Sequence, residues 1–228
     1  MLHEEVYVAS VESGTTSGVI EVTLSDGSRF FVLEALWLRC GMEEDDYCSV
    51  ARVEELQLQS QMILAEHKAV ELLARREYSR HELLLRLVKR GFDRHAVELV
   101  LDQLASRGLQ DDARYAHAWI ESALRRRPQS ATQLLLGLRA KGVSSATAGR
   151  ALEEYRHENP GWEQDALQRA LQRARRNRRA DRQQLTATLA RLGFAPGAIR
   201  AALGGEGSAE EQDRGQAADE SDDYSDHY

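Results

Sequence analysis

The segment Ser79–Phe92, SRHELLLRLVKRGF, occurs three times in the chain: shifts of 51 residues give Ser130–Val143, SATQLLLGLRAKGV, and Asp181–Phe194, DRQQLTATLARLGF. The three copies share one helical grammar. Ser79, Ser130 and Asp181 stand at the start, where a side-chain oxygen can accept from the free N–H groups of a first helical turn. Three residues on come Glu82, Gln133 and Gln184, so each copy opens with a capping box or its Asp-led relative. Leu83, Leu134 and Leu185, followed one turn later by Leu87, Leu138 and Leu189, make a single apolar face. Gly91, Gly142 and Gly193 then supply the left-handed stop, and Phe92, Val143 and Phe194 fold back on the last turn.

The similarity extends to both sides of the segment. Val97, Val100 and Leu101 correspond to Ala148, Ala151 and Leu152 and to Ile199, Ala202 and Leu203, the stripe of a following helix. A preceding helix ends near Arg75-Arg76, Arg126-Arg127 and Asn177-Arg178. The unit is therefore three helices, and a fixed period of this size marks a tandem array in which each unit leans on its neighbours. The expected fold is mainly α, with three tandem three-helix repeats preceded by a small antiparallel β-sheet. Residues 1–48 would form the β-rich segment, 49–108 a long linking helix with repeat 1, 109–159 repeat 2, 160–203 repeat 3, and 204–228 a disordered acidic tail.

At the N-terminus, Tyr7–Val11, Val19–Leu24 and Arg29–Leu33 are rich in β-branched and aromatic residues, and Ser25-Asp26-Gly27-Ser28 is a hairpin turn. About three strands result, with Glu12–Gly18 as a loop and Glu34–Cys40 as a short covering helix that stops at Gly41. The acidic run Glu43–Asp46 lacks the interleaved spacing of a calcium loop and reads as a solvated loop. From Val50 to Arg76 the pattern is helical, with Val53, Leu56, Ile63, Leu64, Leu72 and Leu73 as buried candidates. In repeat 2, Asp111 or Asp112 starts a helix carrying Tyr115, Trp119 and Ile120 inward, and Pro128 ends it. Asn159-Pro160-Gly161 separates repeats 2 and 3. Repeat 3 is the weakest, with Thr186 and Ala187 where repeat 1 has Leu84 and Leu85. Leu83, Leu87, Phe92, Tyr115 and Trp119 are expected in the core.

Charge is segregated along the chain. Residues 1–58 hold 3 bases and 12 acids, residues 59–203 hold 26 and 16, and residues 204–228 hold 1 and 9. The array is thus basic between acidic ends, although the whole chain carries −7. Lys68, Lys89 and Lys141 are the only lysines among 30 basic residues, and the arginines that make up the rest suit bidentate contact with phosphate or carboxylate. Candidates for contact with DNA or a protein partner are Arg75, Arg76, Lys89, Arg90, Arg125, Arg126, Arg127, Arg139, Lys141, Arg173, Arg175, Arg176, Arg178 and Arg179. Many fall near the C-terminal ends of helices, where the dipole favours positive charge, so capping and solubility compete with a partner surface as their explanation. Their recurrence at the repeat period favours the surface.

Other chemistry is sparse. The seven histidines are scattered without metal spacing, and no phosphate loop, nucleophile elbow or paired catalytic motif occurs. His117 reads as a rim residue. Cys40 and Cys48 make neither a metal site nor a disulfide framework, and free thiols are expected. No apolar run approaches a membrane span of roughly 18 residues, and MLHEEVYV is no signal peptide. A cytoplasmic, monomeric, non-enzymatic protein without cofactor is the expectation.

The chain resembles the RecX regulatory proteins of bacteria, which modulate the RecA recombinase. The likeness rests on Ala69–Ser79, AVELLARREYS, on Ser79-Arg80-His81-Glu82-Leu83 with Gly91-Phe92, and most specifically on Leu109–Trp119, LQDDARYAHAW. It spans roughly residues 65–203, whereas the sheet occurs in only some members and the tail is outside it. The resemblance implies an array that enters the groove of the RecA filament on DNA and inhibits its ATPase and strand exchange or promotes its disassembly, within homologous recombination and the SOS response. Two other readings use the same residues: a DNA-binding module acting on the phosphates of single- or double-stranded DNA, and a helical scaffold for another protein. A tandem row of bundles predicts an elongated particle. Small-angle scattering should give a radius of gyration well above the roughly 17 Å of a compact globule of this length; a compact particle would argue against tandem stacking.

Overall fold

The computed structural model of the protein describes residues 5–14, 17–176 and 181–204. Of the expected acidic tail, 204–228, Gly204 ends the last helix and residues 205–228 lie outside the described residues. The chain divides into two compact units, Met1–Asp112 and Ala113–Tyr228.

The first unit opens with β1 (Glu5–Ser13), β2 (Val19–Leu24), β3 (Arg29–Leu33), α1 (Glu34–Cys40) and β4 (Tyr47–Ser49). The sheet has four antiparallel strands in the order β3-β2-β1-β4, one more than the sequence predicts. Only three residues long, β4 lies below the length at which alternation can be read; it is specified by pairing, with Val6 opposite Cys48. β1 is also longer than expected, and its register with β2 shifts between Val8 and Ser10. At this irregularity the acidic loop docks: Val8 N–H donates to the Asp46 carbonyl at 3.0 Å, Asp45 N–H to the Val8 carbonyl at 2.9 Å, and Val11 N–H to Glu44 Oε1 at 3.0 Å. The run Glu43–Asp46 is exposed as expected, and it also terminates the pairing of β1.

Val6, Val8, Ile20, Val22, Phe30 and Val32 form the covered face of the sheet, with Leu36 and Trp37 of α1 and Val53 and Leu56 of α2 (Val50–Leu73) completing that core. Farther along α2, Ala65, Ala69 and Leu72 enter a second core with Leu83 and Leu87 of α3 (Arg80–Val88) and Val97, Val100, Leu101 and Leu104 of α4 (Arg94–Ser106). One 24-residue helix therefore serves two cores. At the changeover Ser60 is buried, and its hydroxyl accepts from Leu33 N–H at 3.2 Å. Ile63, Leu64 and Leu73, expected inside, are only half-buried. The fully buried positions between Leu56 and Leu72 are small ones, because small residues let a second helix approach closely. Phe92 is half-buried too.

The second unit comprises most of α5 (Asp112–Arg126), then α6 (Ala131–Ala140), α7 (Ser145–Glu158), α8 (Trp162–Arg175), α9 (Arg182–Arg191) and α10 (Pro196–Gly204). Its six helices share one core, built on Tyr115, Ile120, Leu134, Leu138, Leu167, Leu171, Leu189 and Ile199. Repeats 2 and 3 are joined closely enough that a Cβ on Gly193, at the end of α9, would lie 2.5 Å from the Ser130 hydroxyl at the start of α6.

The middle helices α3, α6 and α9 are built alike at both ends. Ser79, Ser130 and Asp181 accept from the N–H groups of Glu82, Gln133 and Gln184 at 3.1, 3.2 and 2.7 Å. At the other end Phe92, Val143 and Phe194 donate to the carbonyls of Leu87, Leu138 and Leu189, and Gly91, Gly142 and Gly193 to those of Val88, Arg139 and Ala190. These are the paired bonds of a Schellman stop, with all three glycines at positive φ. The following helices start with Asp93 and Ser144 as side-chain caps, whereas the third has Ala195 before Pro196, which fits a first helical position because it has no N–H to satisfy.

A second acceptor at the head of the middle helices is not visible in the repeated segment itself. Arg80 N–H donates to Asp112 Oδ1 at 2.8 Å and Ala131 N–H to Glu163 Oε1 at 2.9 Å. Both donors and both acceptors are 51 residues apart. Each acid opens the first helix of the next repeat and satisfies an N–H that the cap hydroxyl leaves free, at the helix end where negative charge is favoured. Asp112→Ala and Glu163→Ala should each cost about 1 kcal/mol, the usual worth of a helix cap. Urea unfolding should show the loss, with amide exchange accelerated at Arg80 or Ala131 respectively and with Glu163→Gln losing less than the alanine variant.

Candidate functional site

The basic candidates recur because the repeat recurs. Arg75 and Arg76, just past α2, correspond to Arg126 and Arg127 at the end of α5 and to Asn177 and Arg178 after α8. Likewise Arg90 corresponds to Lys141, each beside the glycine stop of its middle helix. The fold thus puts the end of a first helix and the end of a middle helix in equivalent basic positions in repeats 1 and 2. Arg178 and Arg179 lie outside the described residues; Arg173, Arg175 and Arg176 are exposed at the end of α8.

In repeat 1 the cations are largely engaged by their own unit. Arg75 pairs with Glu71 at 2.8 Å, and Lys68 pairs with the same carboxylate at 2.6 Å. The Lys68 bond and charge, with Arg75 and Arg90 adding to them, hold the Glu71 carboxyl below its ordinary range. The Arg76 guanidinium lies 3.7 Å from the centre of the Tyr78 ring and 3.6 Å from Glu82, and Arg86 approaches the same ring at 5.1 Å. Arg90 donates to the Arg86 carbonyl at 3.4 Å, and Lys89 is exposed.

In repeat 2, α5 and α6 enclose a groove of about 530 Å³ whose wall includes Trp119, Arg126, Arg127, Leu136, Gly137 and Lys141, and none of the described lining residues is acidic. Arg126 is steadied by its own helix, Nε donating to the Ser122 carbonyl at 3.2 Å, and Arg127 is exposed. Leu136 is 49% exposed, like its repeat-1 equivalent Leu85 at 50%. The groove depends on Gly137: a Cβ there would stand 2.3 Å from Cη2 of Trp119, so the indole edge occupies the place of a side chain. The equivalent positions are Arg86 in repeat 1 and Thr188 in repeat 3, and Trp119 is matched by Lys68 and Ala170.

The structure therefore brings Arg126, Arg127 and Lys141 together. Arg125 instead faces Glu121 at 3.6 Å, and Arg139 donates to the Ser145 hydroxyl at 2.9 Å. Trp119, expected in the core, is half-buried and lines the groove. The signal that could have found it is Gly137, because a glycine inside a helix costs about 1 kcal/mol relative to alanine and needs a packing reason. His117, expected at the surface or a rim, is half-buried next to Glu154.

Among the described residues no group of three or more His, Cys, Asp or Glu side chains could hold a metal ion, and no helix is long and apolar enough to cross a membrane. Cys40 and Cys48 are free, with burial, and to a lesser degree Cys40 itself, pushing the Cys48 thiol up.

Known proteins share this architecture. The RecX first three-helix domain matches residues 65–104 and the RecX second three-helix domain matches residues 111–152. The regulatory protein RecX of Treponema pallidum is 39% identical over 139 residues, covering 61% of this chain and 83% of that protein. The regulatory protein RecX of Chromohalobacter salexigens is 42% identical over 105 residues, 46% of this chain and 66% of that protein. Two crystal structures share the fold: a regulatory protein RecX, with a TM-score of 0.61 and 17% identity over 86% of this chain and 97% of the other, and RecX from Lactobacillus salivarius, with 0.55 and 16% over 63% and 94%. The matched stretches contain the middle helices α3 and α6 and the positions Arg75, Arg76, Arg126 and Arg127. The chain belongs to the RecX family of regulatory proteins.

Proposed function

We propose that this protein acts in the cytoplasm as a regulator of a RecA-type recombinase, binding the recombinase–DNA filament and lowering its ATPase and strand-exchange activity. Membership of a regulatory family supports the role. The observation that carries the mode of binding is the recurrence of cationic helix ends, Arg75-Arg76 with Arg90 and Arg126-Arg127 with Lys141, at the repeat period. A periodic set of cations complements a periodic polyanion, and arginine adds bidentate reach to phosphate or carboxylate. The proposed division of labour follows the repeats, each three-helix unit presenting one set of helix ends to the filament.

A second reading, DNA binding without a recombinase, is favoured by the groove of repeat 2, whose described lining holds three cations and no acid. The two differ in one measurement. At physiological salt a filament regulator binds the recombinase filament more tightly than the bare strand, and ATPase falls as it saturates; a plain DNA binder shows equal affinity for both.

Changing Arg173, Arg175, Arg176, Arg178 and Arg179 together to Ser should leave the circular dichroism spectrum unchanged. Filament binding should weaken, and the slope of log affinity against log salt should flatten by roughly 0.7 for each phosphate of a single strand that is no longer neutralised. Unchanged affinity and slope would make these five residues determinants of solubility alone.

A further inference from the structure

We propose that the repeat-2 groove is a subsite for an unpaired nucleotide of single-stranded nucleic acid, the base lying against Trp119 and the flanking phosphates held by Arg126, Arg127 and Lys141. The inference deepens the reading above and rests on it only for the nature of the polymer. Its basis is a combination of three features in one cleft. The cations Arg126, Arg127 and Lys141 converge from the end of α5 and the end of α6, with no acid among the described lining residues. An indole and an exposed leucine supply the apolar part of the wall. A helical glycine, where the other repeats have Arg86 and Thr188, leaves the room that the indole takes.

Phosphate binding alone explains only the first feature. Repeat 1 presents Arg75, Arg76, Arg86 and Arg90 with no tryptophan and no glycine at the equivalent positions. An aromatic wall beside a cationic rim is the composition that holds single strands, because every base offers a π-face and the backbone follows the charge. Bases of a duplex are stacked on each other and cannot reach such a wall. The volume of about 530 Å³ lies within the range of small-ligand clefts, roughly 300 to 1,000 Å³. A carboxylate-rich peptide would satisfy the cations but brings no aromatic ring to stack on the indole, so a nucleotide is the better complement.

The test uses the full chain at physiological salt and three polyanions of equal length, about twelve units each, within the span of known single-strand sites. They are oligothymidylate, an abasic deoxyribose-phosphate strand and polyglutamate. Trp37 and Trp162 are each 6% exposed, so an intrinsic fluorescence change on binding reports Trp119. Oligothymidylate should quench this signal and bind more tightly than the abasic strand. Trp119→Leu should weaken oligothymidylate about tenfold, the effect of removing one base–aromatic stack, and leave the abasic strand unchanged. Trp119→Phe should restore most of the affinity, whereas Gly137→Leu, which displaces the indole, should behave like Trp119→Leu.

Equal binding of oligothymidylate and the abasic strand by the unmodified protein overturns the proposal, and this comparison decides the matter even where a variant does not fold. Equal weakening of both strands in Trp119→Leu overturns it as well. Polyglutamate binding as tightly as oligothymidylate, with the same dependence on Trp119, replaces the nucleotide with an acidic protein segment. Filament ATPase measured in parallel separates the two readings: base-dependent binding without ATPase inhibition sinks the regulatory reading and leaves the subsite standing.

Discussion

The N-terminus of each middle helix is the constraint around which the repeats are arranged. A helix begins with four N–H groups that its own backbone cannot satisfy, and the starts of α3 and α6 are buried, Ser79 and Ser130 both being fully inaccessible. Water is not available there to complete the bonding. One N–H goes to the hydroxyl of the cap residue and another to a carboxylate at the head of the following first helix, Asp112 or Glu163. A polar requirement in one helix thereby fixes where the next first helix begins. Burying an amide without an acceptor costs roughly 1 to 3 kcal/mol, so within the second unit the register between α6 and α8 is held by more than apolar packing, which tolerates sliding.

The same construction localises positive charge. Because in repeats 1 and 2 the first helix ends and the middle helix stops close to one another, the residues favoured at helix C-termini gather in one place. The groove in repeat 2 and the basic surface in repeat 1 are two versions of this outcome. In repeat 1 the charge is offset by Glu71 and Glu82 and by the ring of Tyr78. In repeat 2 the corresponding positions are Ser122, Gln133 and Gln129, all uncharged. Similar backbones therefore carry different electrostatic surfaces, decided by a handful of side chains at equivalent positions.

Much of this is legible in the sequence, and the parts that are not have identifiable causes. The 51-residue period, the caps and the glycine stops are local signals, each contained within a few residues, and the three middle helices follow them at both ends. The strand β4 escapes because three residues cannot show an alternating pattern and its pairing with β1 is not local. Ile63, Leu64 and Leu73 of α2 mislead because close helix approach selects Ala65 and Ala69, which hydrophobicity ranks lower. Asp112 is visible as a candidate helix-starting acid and Glu163 is not singled out, and the acceptor role of both belongs to a helix roughly thirty residues earlier, with no signature in a local window. For the site, the arginines stand out in the sequence while Trp119 reads as core, since an apolar stripe does not reveal which of its members lies at the edge.

Gly137 shows how a stability cost can mark a functional surface. In the middle of a helix a glycine gives up about 1 kcal/mol relative to alanine, and a chain selected for stability alone would have alanine there. Alanine is excluded by the indole of Trp119, and the indole could in turn be replaced by a smaller core residue, as Ala170 does in repeat 3. Neither member of the pair is required by the fold, because repeats 1 and 3 form their middle helices without it. A local cost that the scaffold does not need, placed beside three cations and an exposed leucine, is what the proposed nucleotide subsite would account for.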